Sequence, residues 1–291
     1  MATTLQQVTD TIPTVISAAR MTEVFANEMK PLVQNIRKPK GAGSTVNIPY
    51  FGVLTAKTLT DGVDMANDEQ LEDTNVQITL NEVGCKVILT DNVIEDDQED
   101  LKSMAGELLG QAIGKKQDED LLALLDNGTT SLCGTGSTLT MGHIAAARAT
   151  AMGNAVSAGG PTPGPLRVIL HPYQTLDLVD VVTPIVPTAT YLNVMGGEFT
   201  DSILKQYTIG TLFGMPIIED GNITIDSSAD AKGGVFGPKS IICVTARDWS
   251  PEPERDGSLR AWEINCVGRY GVGNYLNGWT VELYSDATAP A

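Results

Sequence analysis

The 291-residue sequence has few of the residues from which disulfide frameworks, metal sites and histidine-based active sites are built. Its four cysteines, at positions 85, 133, 243 and 266, are widely separated and form no C-x-x-C pair. Neither a disulfide framework nor a zinc site is therefore indicated, and buried free thiols are expected. A catalytic triad would need His143 or His171, and neither lies near a nucleophile-elbow motif. We expect both histidines to be structural, no cofactor and no enzymatic activity.

Long apolar runs are also missing. None approaches the roughly 18 residues that a membrane-spanning helix requires, and the opening MATTLQQVTD lacks the basic stretch and apolar core of a signal peptide. The sequence predicts a soluble, unsecreted protein with no membrane partner. Its hydrophobic content of 42% is still sufficient to bury a large core.

Basic residues are scarce, with 19 Lys or Arg against 36 Asp or Glu and a formal net charge of −17. The charge is unevenly placed: residues 1–40 carry five basic and three acidic residues, whereas residues 56–100 carry two and thirteen. An acidic surface repels phosphate, which argues against sequence-specific nucleic-acid binding. Any contact with DNA is expected to be nonspecific and enforced by confinement.

Two segments resemble ligand-binding motifs only superficially. In GGVFGPKS (233–240), Pro238 stands where a phosphate-binding loop needs glycine, and a strand rather than a helix is predicted next. The acid-rich stretch 61–73 lacks the spaced oxygen ligands and terminal Glu of an EF-hand. We interpret it as a charged loop that faces solvent or another subunit.

The first 100 residues predict an arm and a long hairpin. Residues 11–29 have an apolar stripe at helical spacing. Val46, Ile48 and Tyr50 then alternate with polar residues, and Val76, Ile78 and Leu80 do so after the acidic stretch, which predicts two paired strands. A two-stranded hairpin is marginally stable alone, so this one needs another surface, for which a neighbouring subunit is the obvious candidate.

A long helix is predicted over residues 97–126. Its apolar stripe is predicted to contain Leu101, Met104, Ala105, Leu108, Ala112 and Ile113. Gly106, Gly110 and Gly114 recur every fourth residue, although each costs about 0.8–1 kcal/mol relative to Ala. Close packing of the helix backbone against a sheet would offset this cost, as would a need for the helix to bend. We favour packing, because the glycines lie along one helical face.

The remainder reads as an α/β region followed by strands. Helices are predicted at 141–156, after His171-Pro172 and near DSILKQ (201–206), and strands at LRVIL (166–170) and MPIIED (215–220). The last third is strand-rich, with IICVTA, SLRAWEINCV and WTVELY. These late strands are predicted to pair with the strand at 83–90, in which Val83, Cys85, Val87 and Leu89 share one face.

Several short sequence segments support a family resemblance. STVNIPYFG followed by LTDGVDM, then VQITLNEVGCKVILTD, QDEDLLALLDNG, GPLRVILHPYQTLDL and YTIGTLFGMPIIEDGNI, occur in the order of the parts of a known fold. The sequence resembles tailed-bacteriophage major capsid proteins of the Hong Kong 97 fold. The resemblance implies an α+β fold with an N-arm at 1–42, an E-loop at 43–75, a P-domain with spine helix at 76–136, an A-domain at 137–244 and P-domain return strands at 245–291.

The resemblance also implies a function and partners. Hexamers and pentamers would close an icosahedral head around double-stranded DNA, with portal and decoration proteins and with a separate scaffolding protein or none. Localisation would be the virion, and the host cytoplasm during assembly. Candidate intersubunit contacts are the charged residues of the arm and hairpin: Arg37, Lys38, Lys40, Lys57, Asp61, Asp64, Asp68 and Glu69. An encapsulin-like compartment of the same fold and an unrelated α/β enzyme are the alternatives.

Overall fold

The structure is a computed structural model. It describes residues 27–38, 40–41, 43–52, 54, 56, 58–62, 73–96, 101–155, 159–182 and 210–290. Most of the predicted arm helix at 11–29 and the predicted helix near 201–206 lie outside these residues. In the part that is described, no helix is both long and apolar enough to cross a membrane.

The described chain forms strands and helices in mixed order, which is the α+β arrangement expected from the sequence. The strands are β1 Gln34–Arg37, β2 Thr45–Phe51, β3 Asp73–Thr79, β4 Asn81–Thr90, β5 Thr130–Cys133, β6 Arg167–Leu170, β7 Thr211–Leu212, β8 Met215–Glu219, β9 Asp230–Phe236, β10 Ile241–Asp256, β11 Ala261–Asn274 and β12 Thr280–Asp286. The α-helices are α1 Asp91–Asp96, α2 Leu101–Leu122, α3 Met141–Met152 and α4 Pro172–Val182. Single 3-10 turns occur at Lys30–Leu32, Ala123–Asn127 and Asn277–Trp279.

A four-stranded sheet has the order β1-β10-β11-β4. β4 pairs antiparallel with β11 over ten residues of each strand, from Asn81 opposite Tyr270 to Thr90 opposite Ala261. The predicted pairing of the late strands with 83–90 is confirmed. β1 joins the opposite side of the sheet in parallel with β10.

Helix α2 lies against this sheet and confirms the predicted long helix, but the predicted apolar stripe is only partly right: Ala105 and Ile113 are buried, whereas Leu108 and Ala112 are not. Leu108 is 42% exposed, whereas Leu109 is 2% exposed and packs with Ala105 and Ile113 against β4 and β11. Ala112, also assigned to the stripe, is exposed. Leu108 and Leu109 are adjacent and each continues an i, i+4 series, so spacing alone could not choose between them.

A six-stranded sheet has the order β5-β12-β9-β6-β8-β7. Ile144, Ala147 and Ala151 of α3 and Leu178 of α4 are fully buried in a core formed with this sheet. The predicted strands around 166–170 and 215–220 and the predicted helices after 141 and 171 are confirmed. β5 and β12 pair within this sheet, although the predicted boundaries place both outside 137–244; the division itself stays a prediction.

The two sheets share a core at the end of α2. Met29, Leu121 and Leu125 pack there with Phe236 at the end of β9 and Ile241 at the start of β10. Gly234 of β9 is buried where an added Cβ would lie 3.1 Å from both a side-chain atom of Leu125 and the carbonyl oxygen of Val281. The long helix is therefore fixed against both sheets at its carboxyl end.

Candidate intersubunit surface

The hairpin of β2 and β3 is anchored at its base. Its seven-residue ladder runs from Thr45 opposite Thr79 to Phe51 opposite Asp73, as the alternating pattern predicted. Ile78 and Leu80 are buried against Ile242 and Val244 of β10. Tyr275 holds the same face, because its hydroxyl donates to the Pro49 carbonyl at 3.2 Å.

Beyond this base the hairpin presents apolar side chains to solvent. Phe51 is 53% exposed, Leu54 57% and Leu59 60%. These three residues, hereafter the apolar hairpin surface, have greater exposure than any other large hydrophobic residue in the described ranges. Asp61 is exposed beside them. Lys57, Asp64, Asp68 and Glu69, also candidate contacts, lie outside the described residues.

The three basic candidates lie near the base of the hairpin. Arg37 donates to Asp248 on the neighbouring strand β10 at 2.5 Å, and both side chains are mostly exposed. Lys38 donates to the Gly43 carbonyl, and Lys40 is exposed. Arg37 therefore already has an acidic partner within its own subunit, and its predicted role between subunits stays a prediction.

The predicted packing of the helix glycines against the facing sheet is wrong. An added Cβ at Gly106, Gly110 or Gly114 would have no heavy atom within 4 Å beyond the helix backbone itself. The reason is the register described above: Ala105, Leu109 and Ile113 face the sheet, and each glycine is the next residue, about 100° further around the helix. The glycine row therefore flanks the packed face.

Elsewhere in the subunit, a buried polar junction ties the segment around Met29 to α2 and the turn after β8. Asp118 is fully buried and accepts hydrogen bonds from the backbone N–H of Met29 and from the side-chain amide of Asn222, both at 2.9 Å. Asp220, also fully buried, accepts from the backbone N–H of Asn222 at 2.9 Å. Gln117 extends the junction by accepting from the Asn27 amide at 3.2 Å.

The two buried carboxyl groups share one negative environment. Among the described residues, neither Asp118 nor Asp220 forms an ion pair with a Lys or Arg side chain. Burial, and next the proximity of Asp118, raises the pKa of Asp220 from 3.8 to about 8. Asp220 therefore holds a proton at neutral pH.

Sequence reasoning missed this junction. The signal that could have revealed it is the pair Gln117 and Asp118, which interrupts the apolar series of Ala105, Leu109 and Ile113 before Leu121. A polar residue at such a position needs a buried partner. The second signal is the D-G-N turn at 220–222, which ends a hydrophobic strand.

Both histidines make short-range hydrogen bonds to the backbone of their own segments. His143 takes part in the N-cap of α3, accepting from the Thr140 backbone N–H at 3.2 Å. The ring of His171 accepts from the backbone N–H of Tyr173 at 3.2 Å, as expected for structural histidines. No group of three or more His, Cys, Asp or Glu side chains there could hold a metal ion.

A shallow cavity of about 200 Å³ lies beside the junction. It is lined by Glu119, Leu122, Ala123, Asp126, Asn222, Ile223, Thr224 and Lys232. Lys232 is held there by Asp126 at 2.6 Å. Glu119, the other charged residue in the lining, lies 3.7 Å from Lys115, so each charged residue of the lining has a partner of opposite charge. The apolar hairpin surface is the better candidate for function.

Comparisons with known proteins found similarity to phage capsid proteins. The family model described as phage capsid protein matches residues 74–281. Mycobacterium phage Che8 provides a similar solved structure, with 22% identity, a TM-score of 0.69 and coverage of 94% of this chain and 96% of that chain. The head structure of Helicobacter pylori bacteriophage KHP40 is similar at 11% identity and a TM-score of 0.74, covering 94% of each chain.

The cyanophage Pam1 capsid asymmetric unit has 15% identity and a TM-score of 0.72, covering 94% of this chain and 96% of that chain. A comparison with curated protein sequences gave no match. At these identities the solved structures show only that this chain shares their fold, whereas the family model shows a relationship in sequence. The resemblance to tailed-phage major capsid proteins is confirmed, and the chain belongs to the phage capsid protein family.

Proposed function

We propose that the protein self-assembles as hexamers and pentamers into an icosahedral head around double-stranded DNA. Membership of the phage capsid family supports a shell role. Che8, KHP40 and Pam1 supply similar structures, of which the last two are described as a head and a capsid. Portal, scaffolding and decoration proteins are the further partners we propose, with assembly in the host cytoplasm.

The observation that carries the proposal is the apolar hairpin surface. Phe51, Leu54 and Leu59 are each more than half exposed, while the base of the same hairpin is buried on β10. Several large apolar side chains exposed on one hairpin whose base is anchored are typical of a protein–protein contact. A second copy of this chain is the occupant that a closed shell requires.

Charge is consistent with a container rather than a nucleic-acid reader. With a formal net charge of −17, the subunit gains no long-range attraction for phosphate. Confinement inside a closed shell would hold DNA without sequence-specific contacts. The energy of assembly would then come from contacts between subunits.

The test removes the apolar character of the hairpin and leaves its base intact. The variant Phe51→Ser, Leu54→Ser, Leu59→Ser should keep the wild-type unfolding transition but remain as small oligomers in size-exclusion chromatography and electron microscopy. Met152→Ser is the matched control, since Met152 is 49% exposed at the end of α3. The control should form shells like the wild type.

Two outcomes bear directly on the proposal. Shells of normal size from the triple variant would contradict an intersubunit role for the hairpin. Purified shells that contain a packaged enzyme instead of double-stranded DNA would contradict the phage-head reading and favour an encapsulin-like compartment. Deleting residues 54–70 and closing the gap with a short glycine turn provides the more drastic form of the same test.

A further inference from the structure

Two of the four cysteines lie opposite one another on neighbouring strands. Cys85 of β4 and Cys266 of β11 are direct register partners in the antiparallel ladder. Directly opposite residues point to the same face of the sheet, with Cα atoms about 4.5–5.5 Å apart. This spacing falls within the range of about 4.4–6.8 Å that disulfides require. Both thiols are free in the structure.

The two side chains meet the same core from positions of different accessibility. Both pack in the cluster under α2 that contains Ala105, Leu109 and Ile113. Cys266 is 4% exposed, and burial followed by the neighbouring Cys85 raises the pKa of its thiol. Cys85 is only half-buried. A reagent from solvent should therefore react with Cys85 first, while the less accessible Cys266 stays a protonated thiol.

We propose that Cys85 and Cys266 are a redox-controlled cross-link between β4 and β11, closed by exchange with a small disulfide oxidant. The Cys85 thiolate attacks the oxidant, forming a mixed disulfide and releasing one thiol. The Cys266 thiol then loses its proton, attacks the Cys85 sulfur and releases the second thiol. Two protein thiols lose two electrons and two protons in total, and the oxidant disulfide takes them up as two thiols.

The other cysteines lack such a partner. Cys243 of β10 is fully buried and opposite Val272, and Cys133 of β5 is opposite Tyr284. The cross-link would fix the register of the strand into which the hairpin leads, since only Leu80 separates β3 from β4. Oxidation would thus join β4, the strand that follows the hairpin, covalently to its neighbour β11.

The experiment follows the fate of an adduct at Cys85. Purified protein carrying Cys133→Ser, which removes the other half-buried thiol, is treated with 4,4′-dithiodipyridine. We expect release of two thiopyridone molecules per chain, an intact mass lower by two hydrogen atoms and no remaining adduct. Peptide mapping should join Cys85 to Cys266, and reductant should reverse the change.

The matched variant adds Cys266→Ser, which preserves size and removes only the resolving thiol. It should release one thiopyridone per chain and keep a stable adduct on Cys85. A persistent adduct on Cys85 in the protein that retains Cys266 would overturn the proposal, as would a link to Cys243 or no reaction at Cys85. Mapping of the protein with native Cys266 decides the matter even if the serine variant fails to fold.

Discussion

The buried junction and the apolar hairpin surface invert the usual distribution of residues in opposite ways. At the junction, the carboxyl groups of Asp118 and Asp220 are fully buried, whereas on the hairpin Phe51, Leu54 and Leu59 are more than half exposed. Within one chain, both carboxyl oxygens of Asp118 and one of Asp220 accept hydrogen bonds from Met29 or Asn222. The hairpin exposes its apolar groups without a partner in the described subunit, and we propose that another chain covers them. A buried carboxyl group thus marks a contact within the subunit when the subunit supplies its partner. An exposed large apolar side chain without such a partner marks a candidate contact with another chain.

The largest effect on folding is expected at Asp118. Asp118→Ala leaves the Met29 N–H and the Asn222 amide without their acceptor, and each unsatisfied buried donor costs about 1–3 kcal/mol. We expect the free energy of unfolding to fall by about 2–5 kcal/mol in denaturant titrations. Asp118→Asn, which keeps one acceptor oxygen, should lose less. Glu119→Ala, on the exposed side of the same turn, should change stability by less than about 0.5 kcal/mol.

The second effect is a pH dependence carried by Asp220. Its pKa rises from 3.8 to about 8 on folding, so the folded state binds more protons than the unfolded state between these values. The contribution of Asp220 to the unfolding free energy therefore falls as pH rises through this window and levels off above it, by a few kcal/mol in total. Glu28 and Asp118 act in the same direction on Asp220.

Urea titrations between pH 4 and pH 8 would measure this slope for the wild type and for Asp220→Asn. The asparagine variant should show a flatter profile, because its amide does not titrate. Identical slopes in the two proteins would mean that Asp220 is not protonated in the folded subunit. The interpretation of the junction as a site that holds a buried, protonated carboxyl group would then be wrong.

The third effect concerns the glycine row outside the packed face. Replacing Gly106, Gly110 and Gly114 with Ala meets open space and improves helix propensity, so we expect stabilisation of the subunit by roughly 1–3 kcal/mol. Thermal melting provides the measurement, and electron microscopy shows whether shells still form. A lowered melting temperature would indicate that the row packs against something within the subunit after all. A raised one with failed assembly would place the row at a contact between copies.

The smallest effect on folding is expected from the basic residues at the hairpin base. Arg37→Glu, Lys38→Glu, Lys40→Glu breaks the exposed pair with Asp248, and such pairs contribute less than about 1 kcal/mol. The triple variant should lower the rate of assembly more than it lowers the stability of the subunit. The effect on assembly should be clearest at low salt, where screening is weak. Light scattering at several salt concentrations would measure this. Equal assembly rates for variant and wild type at all salt concentrations would argue against charge pairing between copies.

Much of the fold could be predicted because its signals are local. Alternation identified both hairpin strands and the strands of the last third, and turn residues separated them. The choice between Leu108 and Leu109 failed because both fit a helix period, and only the position of the sheet decides between them. Burial of Asp118 was equally out of reach, since its partners Met29 and Asn222 are 89 and 104 residues away. The charged contact candidates stay a prediction, and the exposed apolar residues Phe51, Leu54 and Leu59 of the same hairpin were not predicted, because exposure depends on the folded neighbours.

The parallel pairing of β1 with β10 has a consequence for biosynthesis. Gln34 pairs with Ile242, and Arg37 reaches Asp248 across a separation of 211 residues. β4 likewise cannot pair until β11 has been synthesised, and the last residue of β11 is Asn274. The four-stranded sheet therefore cannot close during synthesis until Asn274 has left the ribosome, and contacts of such long sequence separation form slowly. The base on which the hairpin rests is therefore completed only after β10 and β11 are available, about 200 residues after the hairpin strands themselves.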